Sequence, residues 1–370
     1  MSLYDKIKYA ESLFRSRKFK KKIVIIESDD WGSERIPNLS VRKILEEKGI
    51  DVGTNPHSKY DTLERLEDLE LLHNQLEYFE KQIGKKVKIT ANFIVGNPDF
   101  EKIKQHNYQQ YFFEEFTKTY ERRDGHTLVW SKIQELIRNG YFVPQFHGRE
   151  HINFFHWLKE LRKGNKFFSD AFELGCYGID IPRAGLHRKN LMAAFEYSDI
   201  YQKKIIEESI SEGLEIFENY FKRKSETVVA PRHVWDSDLE YLMRNKGVTA
   251  IQTTMFQLSP GIDRYQRTFR YTGMLNPKTG MRYLVRNAFF EPSYSEKFDW
   301  INQTLRKVQI AFLFNIPAII GMHRINFVGG LIPSVRDQNL EKFNKLLQKI
   351  VESYPDVEFL SSDELSKMIN

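Results

Sequence analysis

The stretch Ile23-Val24-Ile25-Ile26-Glu27-Ser28-Asp29-Asp30-Trp31-Gly32 decides how the rest of the chain is read. A short apolar run ends in two adjacent carboxylates and a glycine, as a buried parallel strand does when it reaches its C-terminal end. Neighbouring side chains of a regular strand point to opposite faces. Asp29 and Asp30 can therefore serve one site only if the chain leaves strand geometry there, which Gly32 makes easy. An isolated Asp-Asp pair would read instead as a helix cap or a loop.

The same pattern recurs along the chain. Apolar runs at Ile89 to Val95, Tyr141 to Val143, Thr227 to Val229, Val248 to Ile251, Tyr283 to Val285, Pro317 to Met322 and Val357 to Leu360 bring the count to seven or eight strands. Between them lie amphipathic stretches such as Leu63 to Ile83, Ser131 to Asn139, Ile205 to Phe221, Trp300 to Phe312 and Leu340 to Ser353. Glycines at 84, 140 and 247 mark helix ends. This alternation predicts an α/β fold, a deformed (β/α) barrel of seven or eight mostly parallel strands with helical insertions, whose chemistry gathers at the strands' C-terminal ends. An open doubly wound sheet fits the alternation too, but no Gly-x-Gly-x-x-Gly or P-loop pattern follows any strand. No repeat, linker or low-complexity tract divides the chain, so residues 1–370 read as a single domain with extra segments near 35–62 and 152–200.

Composition narrows the function classes. No stretch approaches the ~18 consecutive apolar residues of a membrane span, and Met1 to Lys22 has no apolar core of a secretory signal. Cys176 is the only cysteine, so no intrachain disulfide forms, and it lacks the surroundings of a nucleophile; a cytoplasmic location is expected. The net charge of +6 is matched by one run, Arg15, Arg17, Lys18, Lys20, Lys21 and Lys22. Such a run could meet nucleic acid, anionic lipid or an acidic glycan. With no nucleic-acid-binding motif beside it, it reads as a solvated helix end, and no nucleic-acid partner is expected.

The third strand runs into Phe146-His147-Gly148-Arg149-Glu150-His151, a step that puts two imidazoles on one side if the chain turns helical. Two neutral imidazoles and a carboxylate suit zinc and its first-row neighbours and leave a coordination position for water. Another histidine, His323, ends the run Gly321-Met322-His323. An imidazole titrating near neutrality can protonate a leaving group there, although buried histidines are commonly structural. His57, His73, His106, His126, His156 and His187 read as surface or packing residues. In Pro231-Arg232-His233-Val234-Trp235, Arg232, His233 and Trp235 are candidate substrate contacts, as is Trp31.

In this order the signals resemble the polysaccharide deacetylases of the NodB homology class, carbohydrate esterase family four. Ser28-Asp29-Asp30-Trp31-Gly32 is similar to their first motif, Ile89 to Gly96 to the second-strand segment, and Ile137 to His151 to their helix, Gly, strand and His-x-x-x-His. Ala318 to His323 resembles the strand carrying the catalytic histidine, and Val357 to Ser361 the closing strand. The resemblance spans nearly the whole chain and rests on the number and order of short motifs. It implies Asp29 as general base, His323 as general acid, and Asp30, His147 and His151 as ligands of one divalent metal, zinc foremost, with cobalt, nickel, iron or manganese also suited to the donor set. The implied reaction removes an acetyl or other acyl group from an N-acetylated sugar or glycan precursor. Related barrels cleave non-sugar amides.

The sequence departs from the family in several places: Trp31 rather than glycine directly follows Asp29-Asp30, extra segments follow the first and third strands, and two motifs are altered. The third-motif arginine that orients the base would fall on Val229, leaving Arg232 as its candidate replacement. The fourth-motif Asp-Trp is matched in letters by Asp299-Trp300 and in position by Asp263. Two rival readings follow. One is a glycosidase with Glu291 as a second carboxylate. The other is a catalytically dead barrel that binds carbohydrate or nucleic acid.

Overall fold

The computed structural model describes residues 2–123, 127–179, 191–260 and 265–369. In chain order the strands are β1 (Ile23–Trp31), β2 (Ile89–Ile94), β3 (Gly96–Pro98), β4 (Phe113–Glu115), β5 (Phe142–Gly148), β6 (Thr227–Val229), β7 (Ala250–Thr253), β8 (Phe256–Ser259), β9 (Gln266–Phe269), β10 (Arg282–Val285), β11 (Ala288–Phe289), β12 (Ala318–His323) and β13 (Glu358–Leu360). Nine of them form one curled sheet in the order β10-β7-β6-β5-β2-β1-β12-β11, with β13 added beside β1. Every pairing in this sheet is parallel.

The sheet curls because its two edges are consecutive pieces of one run. β10 pairs with β7 and β11 with β12, and the two residues between them divide in the same way: Arg286 N donates to Thr253 O and Asn287 N to Ile319 O. The result is the deformed α/β barrel expected from the alternating pattern.

Alternation along β1 shows how the barrel is filled. Val24 and Ile26 face the helices in the main core, together with Leu69, Leu72, Leu76 and Phe79 of the helix Leu66–Ile83. Ile23 and Ile25 point inward, where Ala250, Leu284, Ile319 and two residues of the C-terminal helix, Leu365 and Ile369, close the bottom. Continuing the inward set, Glu27 and Asp29 make the upper interior polar, and all nine residues of β1 are buried. Carboxylates there need partners, and those partners build the site.

The predicted helices appear with boundaries moved by a few residues. Pro333, for example, starts the last long helix, Pro333–Ser353, seven residues before the predicted Leu340. The two small hairpins, β3–β4 and β8–β9, were not anticipated, since three- and four-residue strands carry no readable period. Above the barrel mouth the segments near 35–62 and 152–179 pack together through Ile36, Leu45, Ile50, Val52, Ala171, Cys176 and Ile179. Cys176 is buried there, and burial pushes its thiol pKa up, away from nucleophilic chemistry. No helix among the described residues is long and apolar enough to cross a membrane.

Candidate active site

At the end of β1 the backbone leaves strand geometry at Asp30 itself, whose φ is 77°, and again at Gly32, with φ 81°. The pairing with β2 shifts register between Ser28 and Trp31, as in a bulge. This re-aims Asp30 toward the mouth beside Asp29. A side chain at position 32 is excluded, because a Cβ there would lie 2.5 Å from the Ile94 carbonyl oxygen.

His147 is the penultimate residue of β5, and the chain then bends at Gly148, φ 131°, rather than turning helical. The bend, not a helical step, brings His151 back beside His147. Asp30 Oδ1 lies 3.3 Å from His147 Nε2 and 3.2 Å from His151 Nε2. Oδ1 is buried and accepts no hydrogen bond among the described residues. Three donor atoms at these separations fit around one small cation, since ligands ~2.0–2.1 Å from a tetrahedral zinc lie about 3.3 Å apart. The donors are oriented from behind: His147 Nδ1 lies 2.8 Å from Val229 O, which makes Nδ1 the donor and Nε2 the free lone pair. Arg35 Nη2 donates to Asp30 Oδ2 at 2.8 Å. Burial pushes the Asp30 pKa up, but the charge of Arg35 beside it holds the carboxyl well below its ordinary range. Burial lowers His151 well below its usual value, so it is neutral, as a ligand must be.

Asp29 is held by a guanidinium from the two-residue junction between β10 and β11. Arg286 Nη1 and Nη2 donate to its two oxygens at 2.7 Å each, while Arg286 Nε donates to Glu27 at 2.6 Å. Asn92 Nδ2 adds a third donor to Asp29 Oδ1 at 2.7 Å, so Oδ2 carries one donor and keeps acceptor capacity. Burial alone would raise the Asp29 pKa, but the charge and hydrogen bonds of Arg286 overcome it and hold the group ionised. Opposite, His323 Nε2 lies 3.9 Å from Asp29 Oδ2. Its Nδ1 is 2.6 Å from Glu291 Oε1, whose other oxygen accepts from Asn326 Nδ2 at 2.8 Å. Burial opposes the imidazolium, yet Glu291, with Asp30 and Asp29, raises the His323 pKa to about 9. A carboxylate and an imidazolium thus face each other beside the candidate metal ligands.

Asp29, His147, His151 and His323 line a cavity of about 440 Å³ with Arg35, Asn55, Pro56, His57, Met192, Arg232, His233 and Tyr294. Asn55 to His57 come from the segment that follows β1, so this segment closes one side of the mouth. Arg232 and His233 reach the cavity through consecutive left-handed backbone positions, φ 59° and 54°. Such strain in non-glycine residues is concentrated at functional sites. Arg232 is exposed and has no hydrogen-bond or ion-pair partner among the described residues.

Several expectations need correction. Trp31 and Trp235 are not substrate contacts: both lie in the main core, with indole N–H groups donating to Ser28 Oγ and Glu240 Oε1. Arg232 does not replace the third-motif arginine, because Arg286 holds Asp29. His57 belongs to the cavity, its Nε2 2.8 Å from the Tyr294 hydroxyl and its Nδ1 3.7 Å from Asp30 Oδ2. Asp299 caps the helix Trp300–Leu313 at an exposed position, remote in role from a fourth motif. Glu291, the proposed second glycosidase carboxylate, is committed to His323 and Asn326. Asp263, His126 and His187 lie outside the described residues. Arg35 and Arg286 were missed. Arg286 had one readable signal, a charged residue directly after the apolar run Tyr283 to Val285.

No family model and no curated protein matches this sequence. Among solved structures, the chain is similar to 4-alpha-glucanotransferase from Thermococcus litoralis, at 10% identity and TM-score 0.46, over 94% of this chain and 40% of that one. It is also similar to a protein assigned as a polysaccharide deacetylase from Mycobacterium smegmatis, at 11% identity and TM-score 0.48, over 96% and 92% of the two chains. A counterpart so assigned from Pseudomonas aeruginosa PAO1 has 10% identity and TM-score 0.45, over 94% and 89%. The chain spans less than half the length of the glucanotransferase. Nothing about chemistry follows from likenesses this distant, so chemistry has to come from the residues themselves.

Proposed function

We propose that this protein is a metal-dependent hydrolase that removes an acyl group, acetate foremost, from an amide nitrogen of a small N-acylated sugar or glycan precursor. One observation carries the reading: an unpartnered, buried Asp30 Oδ1 within 3.2–3.3 Å of two histidine nitrogens, next to an ionised Asp29 and a protonated His323. Asp30, His147 and His151 would hold the divalent cation, zinc foremost, which supplies Lewis acidity for the carbonyl and lowers the pKa of water. Asp29 accepts the proton of the attacking water at Oδ2, while Arg286 and Asn92 keep its carboxylate fixed. His323 delivers its proton to the departing nitrogen as the C–N bond breaks, and Glu291 stabilises the imidazolium before that transfer. Each proton-transfer group is worth on the order of 10²-fold to 10⁴-fold in rate.

A cavity of about 440 Å³ closed on one side by Asn55 to His57 suits a single acylated sugar better than a long polymer groove. The unpaired Arg232 suits a phosphate or carboxylate on that substrate. The test is acetate release from N-acetylhexosamines, free and nucleotide-linked, by zinc-loaded wild type and by Asp29→Asn. Release that the variant loses while retaining metal supports the proposal. An Asp29→Asn variant turning over at the wild-type rate, or free sugar released from glycosides in place of acetate, would overturn it.

A further inference from the structure

The N-terminal helix, Leu3–Arg15, carries an apolar stripe on the wrong side for a purely structural helix. Its inner face supplies Tyr9 and Leu13 to the core. It lies between the segment around 267–273, through Arg267–Asp5 and Arg15–Tyr271 contacts, and the helix Trp300–Leu313, through Lys307 and Tyr9. At 100° per residue, positions 3, 7, 10 and 14 fall within about 60° of one another. Those positions are Leu3, Ile7, Ala10 and Phe14, and they face water: Leu3 is 75%, Ile7 57% and Phe14 69% exposed. Phe14 meets the ring of Phe314 edge-on at 5.2 Å, which carries the patch onward to Leu313, 78% exposed.

Unpaired cations lie on the helix and in the run that follows it, and Lys18 Nζ sits 5.8 Å from the Phe314 ring at the end of the stripe. Lys6, Arg17, Lys18 and Lys20 are exposed and have no carboxylate partner among the described residues. The two carboxylates of the first 22 residues are already spent, Asp5 on Arg267 and Glu11 on Lys8 and Arg15. An apolar stripe bordered by uncompensated cations matches the chemistry of an anionic bilayer surface, where acyl chains take the stripe and headgroups take the charge. A second copy would bring the same cations against themselves. Nucleic acid would use the charge and leave the stripe in water.

We infer that the helix Leu3–Arg15 and the basic run after it form a peripheral docking surface for membranes rich in anionic lipid, with the helix lying in the plane of the interface. The test is flotation of the full chain with vesicles of phosphatidylcholine alone and of phosphatidylcholine containing phosphatidylglycerol. Binding should occur to the anionic vesicles and fall as salt rises. Ile7→Ser/Phe14→Ser and Lys18→Glu/Lys20→Glu should each weaken it on the order of tenfold or more. All four side chains are exposed, and because Lys18 Nζ donates to Leu13 O at the helix end, circular dichroism matching the wild type is required of each variant before its binding is read. No binding to anionic vesicles, or undiminished binding by both variants, overturns the inference. So does a stripe-dependent dimer or a nucleic-acid complex found in place of vesicle binding.

Discussion

Replacing Glu291 by glutamine removes one charge from the pair that sets the protonation of His323. The 2.6 Å contact to His323 Nδ1 keeps an oxygen acceptor, while the new amide NH2 faces Asn326 Nδ2, itself a donor, so the variant loses the Asn326 bond together with the charge and keeps the side chain's shape. Burial lowers the His323 pKa, and Glu291, ahead of Asp30 and Asp29, raises it against that effect from 6.5 to about 9. A raised pKa means that the stabilisation is fully present below pH 6.5 and is lost as pH rises through about 9. In the variant, burial and the charges of Asp30 and Asp29 remain, so His323 should titrate below about 9, toward its ordinary value. At pH 8 its protonated fraction would then fall, by about 30-fold in the limit of a full return to 6.5, and the rate of acyl release with it, whereas below pH 6 the two proteins should converge. A cation at Asp30 lowers both titrations through its own field and leaves the difference between them. NMR titration of the His323 ring protons checks the pKa without a substrate, and the alkaline limb of the pH–rate profile checks its role. An unmoved titration would refute the coupling; a moved titration with an unmoved alkaline limb would remove His323 as general acid.

Three other outcomes are expected. Asp30→Ala and His147→Ala, shown to be folded, should each lose stoichiometric zinc by elemental analysis, since each removes one of three donor atoms. Arg286→Ala leaves Asp29 and Glu27 buried without their countercharge and should cost about 3–5 kcal/mol in denaturant unfolding; Arg286→Lys, which restores charge without the fork, should shift the acid limb of the pH–rate profile upward as the Asp29 pKa rises toward its ordinary value. Trp235→Phe, which breaks the buried bond to Glu240, should lower stability by about 1–3 kcal/mol, while KM stays at the wild-type value because the indole is in the core.

The barrel was legible because burial on both faces imposes continuous apolar runs, and those runs survive in the sequence at Ile23 to Ile26 and Pro317 to Met322. Asp30, His147, His151 and His323 were legible because each sits at or just beyond such a run. Their convergence was not. It depends on a positive φ at Asp30 and a bend at Gly148, neither of which is written in a periodic pattern. The partners Arg35 and Arg286 were hidden for another reason: a guanidinium is almost always exposed, and nothing in a single sequence says that a given one lies between two buried carboxylates. The tryptophans misled in the opposite sense. An aromatic beside a mouth residue in sequence can turn outward into the core one step later, as Trp31 does after the bulge.

The split run from Arg282 to Phe289 also sets an order of events during synthesis and folding. Asp30, His147 and His151, the proposed metal ligands, all lie within the first 151 residues, on β1, on β5 and just past the bend that follows β5. The guanidinium that ionises Asp29 lies 257 residues beyond it, at the point where the sheet's two edges meet. Contacts of such separation form late, after the loop-closure entropy of the intervening chain has been overcome. A growing chain would therefore carry the metal-ligand set well before it carries an ionised base, so that reactivity switches on only as the barrel completes its circumference.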